Sequence, residues 1–276
     1  MHASIETLQE IVISAAREEL LPRFAQVKRS HKTDGSILTE ADLAMHSRLE
    51  QALQKQWPQY QFMGEEMSTE QQQAMLRDTS TGVWCLDPLD GTSNFAAGIP
   101  YFSVSLSLIK GGEVVIGLVY DPTRDECFCA VKGEGARLNG KPLDASAPPS
   151  LKKCTALIDF KRLRPEQAQR LVTEMPYGSQ RSFGSVALDW CWIAAGRCHV
   201  YLHGKQHIWD YSAGYLILHE AGGCSVTLEG ESVFRPTLTA RSALAARDPA
   251  LFQAWAQWFG INTAAQDVTE PDAATH

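Results

Sequence analysis

The chain has no Cys-x-x-Cys pair, and its cysteines are an odd seven: Cys85, Cys127, Cys129, Cys154, Cys191, Cys198 and Cys224. Most fall in apolar runs, which argues against a disulfide framework or a thiolate zinc site and for buried, reduced thiols. No apolar run approaches membrane-spanning length. Met1 to Glu10 lacks the apolar core of a signal peptide. These absences lead us to expect a cytoplasmic protein with no membrane partner. No long basic run offsets the formal net charge of −7, so nucleic-acid binding is not expected. Internal repeats and low-complexity segments are also missing.

What is present is an ordinary globular composition, 44% hydrophobic over 276 residues, with ample core for one large domain or two intimate halves. We expect a single domain over residues 1–261. Its halves, 1–147 and 151–261, would join at Pro148-Pro149-Ser150, and a loose tail would cover 262–276. An acidic chain of this kind can handle phosphate, provided metal ions supply the positive charge.

One stretch organises the rest: Trp84-Cys85-Leu86-Asp87-Pro88-Leu89-Asp90-Gly91-Thr92-Ser93-Asn94-Phe95. Val83 to Leu86 reads as a buried strand that stops at Asp87-Pro88, because proline cannot donate to a sheet ladder. Asp87 and Asp90 then sit on the bend. Gly91 gives the backbone freedom, and Thr92 or Ser93 can cap a following helical turn. Two acids beside free N–H groups at a helix start suit a divalent metal and a phosphate bound together. Taken singly, each acid is better explained as a turn residue or a cap.

Upstream, a helical stripe of Ile5, Leu8, Val12, Ala15 and Ala16 predicts a helix over 3–27, kinked or broken at Pro22. Thr39-x-x-Asp42 reads as a capping box for a helix that ends before Pro58. Gln61 to Gly64 predicts a short strand with Glu65 and Glu66 at its tip, about twenty residues before Asp87. Downstream, Phe102, Val104, Leu106 and Leu108 alternate with Ser103, Ser105 and Ser107, a strand with one polar face. Further strands and the hairpin signal Asn139-Gly140 make an antiparallel meander. The second half alternates strand and helix: Cys154–Asp159, a helix over 165–174, another over 186–195 behind Phe183-Gly184-Ser185, and Cys198–Leu202. Asp210 stands where the N-cap of a nearly all-apolar helix belongs, and a buried carboxylate there needs a partner to offset desolvation.

Trp-Cys-Leu-Asp-Pro-Leu-Asp-Gly-Thr, the preceding glutamate pair, and Trp209-Asp210-Tyr211-Ser212-Ala213-Gly214 with Glu220-Ala221-Gly222-Gly223 resemble, in order, the signatures of the inositol monophosphatase family. The resemblance covers most of residues 5–260. It implies an α/β (α+β) fold, a layered α-β-α-β-α sandwich of the inositol monophosphatase/fructose bisphosphatase type, usually a homodimer. It implies a Mg²⁺-dependent, lithium-sensitive hydrolysis of a small phosphorylated substrate such as myo-inositol 1-phosphate. By the same resemblance Glu65, Asp87 and the Leu89 carbonyl hold one Mg²⁺, and Asp87, Asp90 and Asp210 a second. A third ion is implied near Glu65, with Glu66 as a lesser neighbour. Thr92 and Glu65 would orient the attacking water, Asp42 would fix Thr92, and Lys32 would lie nearby. Gly91 and Thr92 would cradle the phosphate, while Gly184, Ser185 and Asp210 would meet the substrate. No covalent phosphoenzyme is implied.

One position departs from the family pattern. His203 stands seven residues before Asp210, where a substrate-binding glutamate is usual. Imidazole can still bind hydroxyls, with other geometry and pH dependence. The substrate therefore stays open between a polyol phosphate and fructose 1,6-bisphosphate, histidinol phosphate or a nucleoside 3′,5′-bisphosphate. A non-catalytic regulatory role is the reading of a different class. His199, His203 and His207 recur every four residues on a strand-then-loop segment, which does not place them on one face, so zinc is not expected.

Overall fold

A computed structural model of the chain describes residues 3–26, 30–31, 37–144 and 148–262. The sequence expectations for Lys32 and most of the tail lie outside these residues. In chain order the elements begin with α1 (Ile5–Glu19), β1 (Ser30–His31), β2 (Ile37–Leu38), α2 (Glu40–Gln56), β3 (Gln61–Gly64) and α3 (Thr69–Leu76). There follow β4 (Val83–Asp90), α4 (Thr92–Ala97), β5 (Ser103–Lys110), β6 (Glu113–Asp121), β7 (Glu126–Val131), β8 (Ala136–Leu138) and β9 (Lys141–Pro142). The second half contains β10 (Thr155–Asp159), α5 (Pro165–Glu174), β11 (Ser179–Arg181), α6 (Val186–Ala194) and β12 (Val200–Gln206). It closes with α7 (Ile208–Glu220), β13 (Cys224–Val226), β14 (Arg241–Ala246) and α8 (Pro249–Trp258).

Two larger sheets result. One runs β3-β4-β5-β6-β7-β8-β9 and the other β11-β10-β12-β14-β13. Leu8, Val12, Met45, Leu49 and Leu53 from α1 and α2 bury against one face of the first sheet, with Trp84, Leu86 and Leu106. Its other face meets α6 and α7, which lie between the two sheets among Trp190, Ile193, Tyr211 and Ile217. On the far side of the second sheet, α8 packs Leu251, Phe252 and Trp255, joined by Leu171 of α5. The layers are α-β-α-β-α, as the resemblance implied.

Two local expectations are corrected. The first helix ends at Glu19, short of residue 27, and of the two readings at Pro22 the break holds: Pro22 lies in a separate 3₁₀ turn, Leu21–Arg23, since proline is tolerated only in a first turn. The strand after Val83 does not stop at Asp87-Pro88 but continues to Asp90 through a bulge. Pro88 sits inside that bulge, where no ladder N–H is needed. The serine face of β5 is polar, as expected, and it is interior: Ser103, Ser105 and Ser107 are fully buried. Ser105 Oγ donates to the Trp209 carbonyl at 2.9 Å, and Ser107 bonds Ser212 at 2.7 Å. Those hydroxyls fix α7 to the sheet where methyl groups could only touch it. Contact is closest at Gly117, where an added Cβ would lie 2.6 Å from the Ala213 carbonyl oxygen.

Candidate active site

The bulge in β4 decides the site. Asp87 pairs with Ser105 and Asp90 with Ser103, so three steps along β4 match two along β5. Residues three apart on a regular strand face opposite sides; the one extra residue turns Asp87 and Asp90 to the same side. That side is the serine face, toward α6 and α7. Gly91 then takes a left-handed φ of +93° and starts α4, and a Cβ there would crowd Phe102 at 3.2 Å. Neither Thr92 nor Ser93 caps α4, contrary to the sequence expectation, because Gly91 is the N-cap and carries no side-chain acceptor. Thr92 is the first helical residue, and its hydroxyl is used elsewhere.

Thr92 Oγ1 lies 2.9 Å from the Leu89 carbonyl and 3.2 Å from Asp42 Oδ1. Asp42 Oδ2 accepts from Thr39 N–H at 2.8 Å and Thr39 Oγ1 at 2.5 Å. One buried carboxylate thus caps α2 and holds Thr92.

Glu65 follows β3, with its N–H bonded to the Leu86 carbonyl at 3.0 Å. Buried Gln72 Nε2 holds the Gly64 and Glu65 carbonyls at 2.9 and 3.1 Å. Nothing in the sequence singles out this glutamine. Asn94 was missed for the same reason; its Nδ2 ties the Tyr101 and Phe183 carbonyls at 2.8 and 2.7 Å and so sets the loop carrying Gly184.

Ser185 caps α6 and is fully buried. Its Oγ lies 2.5 Å from Asp90 Oδ2, which also accepts from Ala187 N–H at 2.7 Å. Asp210 is not the N-cap of α7. His207 is, and Asp210, at the third helical position, accepts from the His207 N–H at 2.8 Å. The helix starts earlier than expected because Ile208 and Trp209 are buried in it, and a capping box wants its acid at that third position.

Glu65, Asp87, Asp90, Thr92, Gly184, Ser185, His203 and Asp210 therefore share one cleft of about 620 Å³, also lined by Gly91 and Leu89. The N-termini of α4, α6 and α7 open into it, which favours anions there. Burial first, then repulsion from Glu65, Asp90 and Asp210, raises Asp87 well above the ordinary carboxylate range. Asp90 is pushed up to about 6 by burial, against the Ser185 and Ala187 hydrogen bonds that pull it down. Asp210 is likewise raised, by desolvation and then by Asp90 and Glu65. Among the described residues no three acids close on one point; they share the cleft wall, short of positive charge. All-oxygen donors short of a cation fit a hard divalent ion.

His203 forms a second wall. It neighbours Asp159 across the parallel β10–β12 pair and bonds it, Nε2 to Oδ2, at 3.0 Å. Burial keeps the imidazole below its usual pKa, so Nε2 carries a proton while the ring stays neutral. Burial alone would raise Asp159, but the His203 hydrogen bond and Arg162 outweigh it and hold the acid ionised. Asp159, Lys161 and Arg162 line the cleft without having been expected there; an acid ending a strand was the available signal. The three histidines have separate duties, His199 Nδ1 accepting from Thr155 N–H at 3.0 Å and His207 capping α7.

The inositol monophosphatase family model matches residues 2–264. The chain is 35% identical over 233 residues to inositol monophosphatase 1 of Solanum lycopersicum, covering 80% of this chain and 85% of that one. It is 32% identical over 234 residues to the fructose-1,6-bisphosphatase/inositol-1-monophosphatase of Aquifex aeolicus, covering 80% and 84%. Among solved structures, the extragenic suppressor protein suhB from Bartonella henselae superposes with a TM-score of 0.77 at 27% identity, covering 92% of this chain and 98% of that one. Metal dependence and lithium sensitivity are characteristic of the family, and its members act on small phosphorylated substrates. No described helix is long and apolar enough to cross a membrane. The chain belongs to the inositol monophosphatase family of phosphatases.

Proposed function

We propose that this phosphatase is a Mg²⁺-dependent phosphomonoesterase acting on myo-inositol 1-phosphate or a related polyol or sugar phosphate. The observation that carries the reading is the trio of buried Asp87 and Asp90 with half-buried Asp210, raised in pKa by desolvation and by neighbouring acids, on a cleft into which helix N-termini open. Glu65, Asp87 and the Leu89 carbonyl would hold one Mg²⁺, Asp87, Asp90 and Asp210 a second, and Glu65 would border a third. Bound Mg²⁺ supplies neutralisation of the phosphoryl charge and a water acidic enough to attack at neutral pH.

The chain's own groups do the positioning. Thr92, held by Asp42, and Glu65, held through Gln72, orient the attacking water. The Gly91 and Thr92 N–H groups at the start of α4 bind phosphoryl oxygens. Ser185 keeps Asp90 in place, and Gly184 borders the leaving alcohol. His203 and Asp159 face its hydroxyls, a neutral imidazole and a fixed carboxylate where relatives use glutamate. We also propose that the protein is a homodimer and cytoplasmic. A homodimer is checked by light scattering, and a cytoplasmic location by fractionation; seven free thiols, six of them buried, fit a reducing compartment.

Phosphate release from myo-inositol 1-phosphate, with and without Mg²⁺, tests the proposal, with Asp90→Asn as control. Magnesium-dependent turnover that the substitution abolishes supports it. Absence of metal-dependent release from that ester and from an aryl phosphate contradicts it.

A further inference from the structure

A separate cleft of about 280 Å³ lies at the opposite ends of α6 and α7 from the active cleft. Gly196, just past the end of α6, and Ala221 and Gly222, just past the end of α7, line it. Helix C-termini carry partial negative charge and favour a cation. Two adjacent residues of opposite charge, Arg247 and Asp248, line the same cleft. Among the described residues neither makes an ion pair, with the other or with a third group. The exposed Asp144 acts on Arg247 through space without touching it.

The fold holds both side chains in place. β14 ends at Ala246 and α8 begins at Pro249, so Arg247 and Asp248 are the whole link between them. Arg247 Nε donates to the Ala221 carbonyl at 3.2 Å and Nη2 to the Leu143 carbonyl at 3.1 Å. Its Nη1 is buried with no partner, which leaves the guanidinium short of an acceptor. Asp248 caps α8 through Oδ1, which accepts from Leu251 N–H at 2.8 Å, and Oδ2 stays unused among the described residues. His199 adds a donor. Its Nδ1 accepts from Thr155 N–H, and burial keeps the ring neutral, so Nε2 carries the proton. Leu251, Pro148 and Pro249 give the cleft an apolar side.

We propose that this cleft binds a free α-amino acid with an aliphatic side chain. The ligand's carboxylate meets the Arg247 guanidinium and His199 Nε2–H. Its ammonium meets Asp248 Oδ2 and the carbonyl ends of α6 and α7, and its side chain lies on Leu251 and the two prolines. A simple anion would face Asp248 and two negative helix ends, and a simple cation would face Arg247. Only a ligand that carries both charges answers each group. The active cleft takes no part, so the site stands or falls independently of the phosphatase reading.

Calorimetric titration of the full chain compares L-leucine with 4-methylpentanoate, which lacks the ammonium, and 3-methylbutylamine, which lacks the carboxylate. Wild type is expected to bind leucine about tenfold or more tighter than either, the scale of one charged hydrogen bond. Asp248→Asn keeps the cap on α8; it should weaken leucine about tenfold and leave 4-methylpentanoate no weaker. Arg247→Gln should weaken leucine and 4-methylpentanoate but not the amine, with thermal unfolding to confirm that the variant is folded. Leucine should also raise the melting temperature of wild type and not that of Asp248→Asn. Undetectable binding of leucine by wild type overturns the site, as does either truncated compound binding as well as leucine. A leucine affinity that Asp248→Asn leaves unchanged overturns it too, whatever becomes of Arg247→Gln.

Discussion

Asp42 and Thr92 are fifty positions apart and meet at 3.2 Å, Oδ1 to Oγ1, while the other oxygen of the same carboxylate caps α2 through Thr39. Stability and water orientation thus depend on one side chain, and they can be separated. Thr39→Ala removes one capping bond and is expected to cost about 1 kcal/mol with kcat nearly intact. Asp42→Ala is expected to cost as much or more in stability and to lower kcat by about 10- to 100-fold. Thr92→Ser keeps activity and Thr92→Ala does not. Urea unfolding and initial-rate kinetics on the four variants check the split.

Ser185 Oγ caps α6 and touches Asp90 at 2.5 Å. Ser185→Ala is expected to destabilise by about 1–2 kcal/mol and to weaken Mg²⁺ binding by about tenfold or more. Titration calorimetry with Mg²⁺ and thermal unfolding read the two effects.

Gly117 and Ala213 touch backbone to side-chain position, so Gly117→Ala forces α7 away from β6. Overpacking of this kind costs about 1–3 kcal/mol. Because α7 carries Asp210, the Mg²⁺ concentration for half-maximal activity should rise as well. A variant destabilised without that rise would detach the packing from the site.

His219 bonds Ser225 at 2.9 Å, and its pKa is lowered to about 4 by burial, against the opposing charge of Glu220. Unfolded, it takes a proton near pH 6.5; folded, not until about pH 4. Its contribution is therefore intact above pH 6.5 and lost as pH falls toward 4, up to about 3 kcal/mol. His219→Gln should flatten the stability profile across that window, as denaturant unfolding at pH 7 and pH 5 would show.

Much of this was legible in the residues. The order Asp87-Pro88-Leu89-Asp90-Gly91-Thr92 located the cleft, and Thr39-x-x-Asp42 gave the cap on α2 that the structure contains. Two features were hidden because they depend on pairing between segments. Asp87 and Asp90 share a face only through the register shift against Ser105 and Ser103, which no single strand reveals. Period-two serines in β5 read as a polar face, and only the packing of α7 makes that face interior. Gln72 and Asn94 act through backbone carbonyls of distant loops, contacts that carry no local pattern.

The central claim is that Asp87, Asp90 and Asp210 are held together at a cost that a cation offsets. Melting temperatures of wild type and Asp87→Asn, each in EDTA and in Mg²⁺, test it directly. Asparagine keeps an oxygen for the Leu89 N–H, which now lies 2.9 Å from Asp87 Oδ1, while removing one buried charge. We expect Asp87→Asn to melt higher than wild type in EDTA, to gain little from Mg²⁺, and to be inactive; wild type should gain several degrees from Mg²⁺. An Asp87→Asn protein that melts lower in EDTA and responds to Mg²⁺ as wild type does would contradict the account.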